Sequence, residues 1–508
     1  MTDQIKIKSA LLSVYSKDRL EEIARTLEGL EISIISTGGT YDFLTSIGIR
    51  ATPIEALTSY PSILGGRVKT LHPKIFGGIL WRNDKPSDST DLEKYGIPSI
   101  DLVVVDLYPF EKTVVSTDRE EEIIEKIDIG GISLIRAAAK NFNQVLVIPS
   151  VEHYDELITL LENKKGITAL SDRRYFAAQA FNVSSHYDNE IFNYFNRTQN
   201  INAFKRSFRK PVHLRYGENP HQNGHFYGEL EKVFSNLHGK ELSYNNLVDI
   251  DAAIGLIEEF TEPTVAIIKH TNPCGISTRS SLKEAYLDAF ACDPVSSFGG
   301  IIAANGVIDK ETAEAINTLF FEIIIAEGYK DEALFLLKSK KNRIILQKNS
   351  FSFSDRQFKS ILNGVLEQKK DLRSETEKDF DFVTIKHPSK EEEKELIFAN
   401  KVVKHLKSNA IALVKNQQLI GCGMGQTSRV DALKQAMTKA GAFGFDIHGS
   451  VMASDAFFPF SDSVKIAHEA GITAIVQPGG SIRDTDSVNY CNDHNLPMVF
   501  TGIRHFKH

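Results

Sequence analysis

Short apolar runs rich in β-branched residues recur along this chain, and stretches with helical periodicity separate them. Such runs occupy residues 9–15 (SALLSVY), 100–110 (IDLVVVDLYPF), 143–149 (NQVLVIP) and 265–270 (VAIIKH). Strands of a parallel sheet are continuously apolar because helices cover both faces of the sheet. Strands that alternate with helices along the sequence predict such a sheet. The sequence therefore predicts an α/β fold.

The chain length requires more than one hydrophobic core. Its 508 residues exceed a single domain, which typically holds about 100–200 residues. A polar, aromatic-rich helical region ends near residue 200 and a new α/β region follows, so we expect domains at 1–200 and 201–508. The strand and helix pattern near 265–300 recurs near 411–475, which predicts two similar subdomains in the second domain.

Composition narrows the function classes. The formal net charge is −7, whereas a nucleic-acid binder usually carries a basic face. No apolar run reaches the roughly 18 residues of a membrane span, and the N-terminus lacks a signal-peptide pattern. The four cysteines are widely spaced, which is typical of a reducing cytosol. We expect a cytoplasmic protein with neither nucleic acid nor membrane as a partner.

A glycine pair marks the first candidate site, at residues 37–40 (TGGT) between a predicted strand and a predicted helix. Backbone N–H groups at a helix N-terminus bind anions, and glycine lets a phosphate approach closely. Ser13 and Lys17 follow the preceding strand, at the edge where open α/β sheets bind ligands. A plain turn accounts for two glycines equally well.

A second candidate site lies at residues 65–73 (GGRVKTLHP). Arg67 and Lys69 share one face if the segment is extended. Two cations beside the Thr70 hydroxyl suit a phosphate or a developing anion. We favour this interpretation over a solvated loop because the neighbouring glycine turn points to the same ligand.

A third candidate site begins at residues 128–131 (DIGG), which precede a helix carrying Arg136 and Lys140. Asp128 beside lysines can shuttle protons, since each group shifts the pKa of the other. A helix cap beside surface cations explains the same pattern equally well. Tyr108 ends an apolar strand and can donate to an oxyanion, although a structural tyrosine is the more frequent case.

In the second half, Lys269 and His270 end a buried strand before an Asn-Pro turn. Adjacent strand residues point to opposite faces, so both can act at one site only if the strand ends or twists there. Histidine is the usual acid or base near neutral pH. The run 454–460 (SDAFFPF) offers an aromatic slot for a flat ring, with core packing as the default alternative.

No metal site has credible spacing. The Pro273-Cys274 pair is similar to part of the zinc deaminase signature, which needs H-x-E and P-C-x-x-C. Asn272 stands two residues after His270, and no second cysteine follows Cys274 at that spacing. A zinc deaminase, the alternative left open, would contain stoichiometric metal. The chain also lacks a Walker motif and a strand-linked GxGxxG.

Taken in order along the chain, the motifs identify a family. The first half resembles the N-terminal half of the bifunctional AICAR transformylase/IMP cyclohydrolase family of purine biosynthesis in LLSVYSK, STGGT, LGGRVKTLHPKIFGGIL, LYPF and IDIGGISLIRAAAKN. The second half resembles the other half of the family in RYGENPHQ, LSYNNL, IKHTNPCG, DPVSSFGG, GMGQTSR, SDAFFPF and FTGIRHFKH. The match is weakest at residues 328–400.

The resemblance implies two reactions and two folds. A methylglyoxal-synthase-like N-terminal domain would close FAICAR to IMP, and a cytidine-deaminase-like C-terminal domain without zinc would transfer a formyl group from 10-formyltetrahydrofolate to AICAR. It also implies a homodimer with transformylase sites at the subunit interface. An alternative is that the N-terminal domain only senses nucleotides, because such domains also serve as regulatory modules.

The resemblance also implies site residues. In the transformylase, Lys269 and His270 would be the catalytic pair, AICAR contacts would be Arg215, Tyr216, Asn246, Glu322, Arg429 and Arg504, and Asn409, Phe457, Pro459 and Asp462 would lie near the formyl group and the folate. In the cyclohydrolase, the phosphate would contact Ser13, Lys17, Thr37, Gly38, Gly39, Thr40 and Arg67, and the reacting end would hold Lys69, Thr70, Tyr108, Asp128 and Lys140.

Two positions depart from the family pattern. Tyr15 stands where a serine is expected, and Asp106 stands where an asparagine is expected before LYPF. A carboxylate near a phosphorylated substrate repels it unless the carboxylate is paired.

Overall fold

The computed structural model describes residues 3–508 and separates the chain into two compact units, the first ending at Lys210 and the second beginning at Pro211. The strands of the first unit are β1 (Gln4–Lys6), β2 (Ser9–Ser13), β3 (Ser33–Ser36), β4 (Thr52–Pro53), β5 (Leu102–Val105), β6 (Leu146–Ile148) and β7 (Ile167–Ala169). Its helices are α1 (Leu20–Gly29), α2 (Gly38–Ser46), α3 (Ile54–Thr58), α4 (Pro73–Leu80), α5 (Pro86–Tyr95), α6 (Phe110–Ser116), α7 (Glu120–Ile124), α8 (Gly130–Lys140), α9 (Tyr154–Asn163) and α10 (Leu170–Gln199), with 3₁₀ turns at Leu64–Gly66 and Val151–His153.

The first unit is built around a five-stranded sheet in the order β4-β3-β2-β5-β6. Every pairing in this sheet is parallel, and β5 and β6 are buried along their whole length. The apolar runs at residues 100–110 and 143–149 thus form strands covered on both faces, which confirms the predicted parallel sheet. The carboxyl ends of β2, β3 and β5 meet at one edge, which is where such sheets bind ligands.

Two local features of the first unit differ from what their sequence patterns favour. Asp18 is a residue type that commonly caps helices, but α1 begins at Leu20 after Arg19, whose φ is 58° and whose side chain caps nothing. The segment with Arg67 is not extended, because it follows a 3₁₀ turn and Arg67 has helical φ and ψ of −66° and −26°. Backbone turns therefore set the direction of these side chains, and a period-two pattern does not.

The strands of the second unit are β8 (Pro211–Leu214), β9 (Gly224–Tyr227), β10 (Phe234–His238), β11 (Thr264–Lys269), β12 (Asn272–Thr278), β13 (Ile301–Ile308), β14 (Ile323–Tyr329), β15 (Ile344–Lys348), β16 (Arg356–Ile361), β17 (Gly364–Lys369), β18 (Asp381–Phe382), β19 (Ile411–Lys415), β20 (Gln418–Gly423), β21 (Val451–Ser454), β22 (Ala474–Gln477) and β23 (Met498–Phe500). Its helices are α11 (Leu230–Val233), α12 (Tyr244–Ile257), α13 (Leu282–Cys292), α14 (Pro294–Ser297), α15 (Lys310–Ile316), α16 (Asp331–Leu337), α17 (Lys390–Lys404), α18 (Arg429–Ala442), α19 (Asp462–Glu469) and α20 (Asp484–Asp493), with a 3₁₀ turn at Glu377–Asp379.

A mixed sheet of twelve strands organises the second unit, in the order β10-β15-β14-β13-β11-β12-β20-β19-β21-β22-β23-β18. Each half of this sheet repeats one pattern: an antiparallel hairpin, an antiparallel neighbour, two parallel strands and an antiparallel edge strand. The two halves meet where β12 pairs with β20. This repeat confirms the two similar subdomains predicted from the sequence.

A close helix contact recurs in both subdomains. A Cβ atom on Gly275 of β12 would lie 1.9 Å from the carbonyl oxygen of Ala289 in α13. In the second subdomain, a Cβ atom on Gly423 of β20 would lie 1.8 Å from the carbonyl oxygen of Ala432 in α18. Only glycine permits such an approach, so these residues fix how each helix lies on its hairpin.

Candidate active sites

A cavity of about 520 Å³ opens at the carboxyl edge of the parallel sheet in the first unit. Its walls come from the segments that follow β2, β3 and β5 and from residues 65–70 and 124–131. Among the predicted residues it contains Ser13, Lys17, Thr37, Gly39, Thr40, Arg67, Lys69, Thr70, Tyr108 and Asp128. Gly38 lies beside it, since a Cβ there would be 3.6 Å from Lys69 Nζ. Lys140 is exposed at the opposite end of α8 and is not part of the cavity wall.

Part of the cavity lining, made of Lys17 and residues 37–40, forms an anion cradle. Thr40 Oγ1 donates to the carbonyl oxygen of Val14 at 2.9 Å, and Lys17 Nζ lies 3.3 Å from Thr40 Oγ1. The hydroxyls of Thr37 and Ser13 are 3.0 Å apart, and Thr37 makes no side-chain cap on α2. The first turn of α2 therefore has no capping side chain, and Gly39 and Thr40 of this turn line the cavity, which is the arrangement that binds phosphate.

The charge of the cradle depends on its neighbours. Burial lowers the pKa of Lys17, the Asp106 carboxylate partly raises it, and Lys69 lowers it further. A bound phosphate would add negative charge and favour the ammonium form of Lys17. The cradle is therefore best matched electrostatically when an anion occupies it.

The two residues that depart from the family pattern, Tyr15 and Asp106, are hydrogen-bonded to each other in the cavity wall. Asp106 accepts hydrogen bonds from the backbone N–H groups of Tyr15 and Ser16, the latter at 2.9 Å. Burial raises the pKa of Asp106, and these two N–H groups and Lys17 oppose the rise. The Tyr15 ring lies edge-on to the Tyr108 ring at 5.5 Å. The carboxylate therefore ties the end of β5 to the end of β2 and is not an unpaired charge facing the substrate.

Another part of the cavity lining, made of Lys69, Thr70, Tyr108 and Asp128, forms a polar wall that reaches the cradle at Lys69. Asp128 Oδ1 accepts the N–H of Gly131 at 2.6 Å. Burial raises the pKa of Asp128, while backbone N–H groups and the charge of Lys69 oppose the rise. Burial and the charges of Asp128 and Glu125 raise the pKa of Tyr108. The wall thus combines two donors, an ammonium and a neutral phenol, with a carboxylate suited to proton transfer.

Two neighbouring features were not predicted from the sequence. Glu125 forms an ion pair with the exposed Arg67 at the mouth of the cavity. The ammonium of Lys126 lies 5.3 Å from the centre of the Tyr15 ring and 5.6 Å from that of Tyr108, which is within cation–π range. Both residues lie in the acidic stretch before DIGG, where the sequence alone does not distinguish them from surface charges.

In the second unit, β11 ends at Lys269 and a tight turn leads into β12. His270 and Thr271 adopt left-handed conformations with φ of 52° and 67°. Lys269 Nζ donates to the carbonyl oxygen of Phe298 at 2.8 Å, and His270 is exposed. The strand therefore ends at Lys269, as it must if the side chains of Lys269 and His270 are both to reach one site.

The remaining predicted residues of the second unit fall into small groups. Asn246 Nδ2 donates to Glu322 Oε2 at 3.1 Å, and the Arg215 guanidinium stacks on the Tyr216 ring at 4.7 Å. The guanidinium groups of Arg429 and Arg504 both lie over the Phe506 ring. Arg429 also forms an ion pair with the buried Asp455 at 3.0 Å, which fixes its direction.

The turn after His270 is linked to the loop that carries Asn409. The N–H of Lys407 donates to Asn272 Oδ1 at 3.1 Å, and Asn409 Nδ2 donates to the carbonyl oxygen of Gln426 at 2.9 Å. In the predicted aromatic slot, Phe458 is fully buried in the core of the second subdomain. Phe457 is half-buried, while Pro459 and Asp462 are exposed. A slot for a flat ring therefore cannot include the buried Phe458 ring and is limited to the more exposed residues of the run.

Metal and membrane features are absent from residues 3–508. Within them, no three His, Cys, Asp or Glu side chains are arranged to hold a metal ion. No helix in this described part of the chain combines the length and apolarity needed to span a membrane. The four cysteines are buried free thiols.

A parallel sheet with an anion cradle, joined to a second α/β unit with a Lys-His pair at a strand end, defines a two-site enzyme acting on small phosphorylated molecules. A family profile described as "MGS-like domain" matches residues 19–133, and one described as "AICARFT/IMPCHase bienzyme" matches residues 138–439. The chain therefore belongs to the AICAR transformylase/IMP cyclohydrolase family, whose members transfer a formyl group to AICAR and close the product, FAICAR, to IMP.

Full-length relatives agree with this assignment. The chain is 56% identical to the bifunctional purine biosynthesis protein PurH of Bacteroides thetaiotaomicron over 100% of both chains. It is 46% identical to the PurH protein of Aquifex aeolicus over 98% of this chain and 100% of that one. A solved structure titled "Crystal structure of ForH" is 35% identical over 37% of this chain and 99% of its own, with a TM-score of 0.34. The predicted family, fold class and bifunctional enzyme class are confirmed.

Proposed function

We propose that the unit ending at Lys210 closes FAICAR to IMP, and that the unit beginning at Pro211 transfers the formyl group of 10-formyltetrahydrofolate to AICAR. The observation that carries the first assignment is the single cavity whose lining combines an anion cradle with the polar wall. A sensor needs the cradle alone, whereas the wall has the donors and the carboxylate that ring closure requires. Catalysis is therefore favoured over nucleotide sensing.

Ring closure joins the carboxamide nitrogen of FAICAR to its formyl carbon and expels water. The cradle holds the 5′-phosphate, which leaves the formyl group at the polar wall. Lys69 and the Tyr108 hydroxyl donate to the oxyanion that develops on the formyl oxygen. Asp128 accepts the proton from the attacking nitrogen, and its raised pKa suits this role. The former formyl oxygen then leaves as water, taking this proton from Asp128 and a second one from the nitrogen that carried the formyl group.

Formyl transfer requires help because the AICAR amine is conjugated with its ring and is a poor nucleophile. A bond forms between the amine nitrogen and the formyl carbon while the bond from that carbon to the folate nitrogen breaks. His270 accepts the amine proton and returns a proton to the folate nitrogen as that nitrogen leaves. Lys269 stabilises the charge on the formyl oxygen. The hydrogen bond from Lys407 to Asn272 links the turn of His270 to the loop that carries Asn409.

The transformylase site of one chain is open, which supports a second copy as its cover. His270, Arg215 and Arg504 are exposed in the single chain. Reactions that develop charge proceed best where water is excluded. We propose a homodimer with these residues at its interface. The free buried thiols are typical of a cytoplasmic enzyme.

Two single variants assayed for both reactions test the proposal. His270→Ala is expected to abolish formyl transfer and leave the cyclisation of synthetic FAICAR unchanged. Asp128→Asn is expected to do the reverse, because the two sites use different side chains. Equal loss of both activities in either variant contradicts separate sites. Binding of FAICAR to the wild-type chain without turnover would favour the sensor.

A further inference from the structure

The turn that presents His270 is held in a conformation that its residues do not prefer. Both His270 and Thr271 have positive φ, at 52° and 67°. Thr271 is β-branched, and a β-branched residue in the left-handed region is an outlier that persists only where the surroundings enforce it. The direction of the His270 side chain therefore depends on contacts made to this turn from outside it.

Asp249 of α12 makes such a contact. Its Oδ1 accepts the N–H of Thr271 at 2.6 Å. Burial raises the pKa of Asp249, while this hydrogen bond and the charge of Lys269 oppose the rise. On the other side of the turn, Asn272 Nδ2 donates to the carbonyl oxygen of His270 at 2.9 Å. The peptide group that links His270 to Thr271 is thus hydrogen-bonded through both its N–H and its carbonyl oxygen.

The helix that carries Asp249 is itself firmly placed. The Ser243 hydroxyl accepts the N–H of Asn246 at 3.3 Å, and Asn246 Oδ1 accepts the N–H of Ser243 at 3.0 Å, which forms a capping box. Ile250 and Ile254 of the same helix are buried in the core. Asn246 and Asp249 are three residues apart, so they lie on one face of α12. The same face of α12 therefore carries Asn246, a predicted AICAR contact, and Asp249, which is hydrogen-bonded to the turn of His270.

We propose that Asp249 is the positioning residue for His270 in formyl transfer. Its carboxylate fixes the left-handed turn so that the imidazole faces the amine of an AICAR molecule held by Asn246 on the same helix. This inference rests on the proposed role of His270 as the proton acceptor. It assigns no proton transfer to Asp249 itself.

The proposal is tested in the full-length enzyme with both activities measured on each variant. Asp249→Ala is expected to lower the transformylase kcat about 10- to 100-fold, the scale of a misplaced catalytic group, with a much smaller change in the KM for AICAR. FAICAR cyclisation should stay at the wild-type rate. Asp249→Asn keeps an oxygen that accepts the Thr271 N–H and is expected to retain most of kcat. Asp251→Ala, an exposed carboxylate on the same helix, is the matched control and should behave as wild type.

A rescue variant separates positioning from a general effect on the fold. Glycine adopts positive φ without strain, so Asp249→Ala combined with Thr271→Gly should recover kcat to about that of Thr271→Gly alone, as coupled residues do in a double-mutant cycle. A wild-type kcat in Asp249→Ala, a loss confined to KM, a parallel loss of cyclisation, or no recovery in the double variant would overturn the proposal. His270→Ala is run beside these variants. If it retains formyl transfer, the proposed function fails instead.

Discussion

At the scale of single residues, the cavity of the first unit shows how one unexpected side chain is accommodated. Asp106 lies close to the anion cradle, yet it accepts hydrogen bonds from two backbone N–H groups, those of Tyr15 and Ser16. Those two residues connect β2 to Lys17. The carboxylate therefore sets the position of the cradle lysine through the backbone, and its negative charge is compensated locally.

Removing this carboxylate should weaken both stability and substrate binding in the first unit. We expect Asp106→Ala to lower the free energy of unfolding by about 1–3 kcal/mol, the cost of leaving donors without an acceptor. The KM for FAICAR should rise because Lys17 loses its fixed position, while formyl transfer is unchanged. Calorimetry and the two assays measure these effects, with the exposed Asp42→Ala as control. An unchanged KM would show that Asp106 does not place the cradle.

At the scale of secondary-structure elements, the start of α2 depends on one glycine. Gly38 has φ of 36°, and a Cβ there would lie 3.6 Å from Lys69 Nζ. We expect Gly38→Ala to raise the KM for FAICAR about tenfold or more, because the strain distorts the N–H groups that bind phosphate. Gly29→Ala is the matched control, since it has open space around it and should stabilise α1 slightly. Equal effects of the two variants on KM would contradict this account.

A second element-scale prediction concerns the C-terminal segment, where His505 bridges two carboxylates. Its Nδ1 lies 2.6 Å from Asp371 Oδ2 and its Nε2 lies 3.1 Å from Glu375 Oε2. Burial lowers the pKa of His505, but these hydrogen bonds outweigh it and raise the pKa to about 9. The unfolded value is about 6.5. The stabilisation is therefore complete below about pH 6.5 and is lost as pH rises through about 9.

This shift corresponds to roughly 3 kcal/mol of stability at most. His505→Gln should therefore unfold at a clearly lower urea concentration than wild type at about pH 6, and the difference should shrink markedly by about pH 10. Urea titrations of both proteins at the two pH values measure it. A difference that does not change with pH would mean that the contribution of His505 comes from packing rather than from its charge.

The elements also show what the sequence could and could not predict. Continuous apolar runs identified β2, β5, β6 and β11, because burial on both faces leaves a clear pattern. Motif matches placed the side chains of the cavity. The support of the His270 turn by Asp249 could not be predicted, because a hydrogen bond between residues 22 positions apart leaves no periodic signal. The hairpin β16/β17 escaped prediction because every residue in it is exposed.

At the scale of the whole molecule, the two proposed sites differ in whether one chain is enough to enclose them. The cavity proposed for ring closure is assembled within one unit, from the edge of its own sheet. The residues proposed for formyl transfer include His270, Arg215 and Arg504, which are exposed in the single chain. If a second copy covers them, formyl transfer depends on association and cyclisation does not.

Measuring both activities during dilution tests whether only formyl transfer depends on the dimer. Below the dissociation constant of the proposed dimer, we expect the transformylase activity per chain to fall in step with the dimer fraction, because the open site admits water and lacks its cover. The cyclohydrolase activity per chain should stay constant over the same range. Sedimentation at each concentration gives the dimer fraction, and the constant cyclisation rate shows that the chain remains folded. Transformylase activity that stays constant while sedimentation reports the 56.7 kDa monomer would mean that one chain completes both sites, and the interface role of His270 and its neighbours would then be wrong.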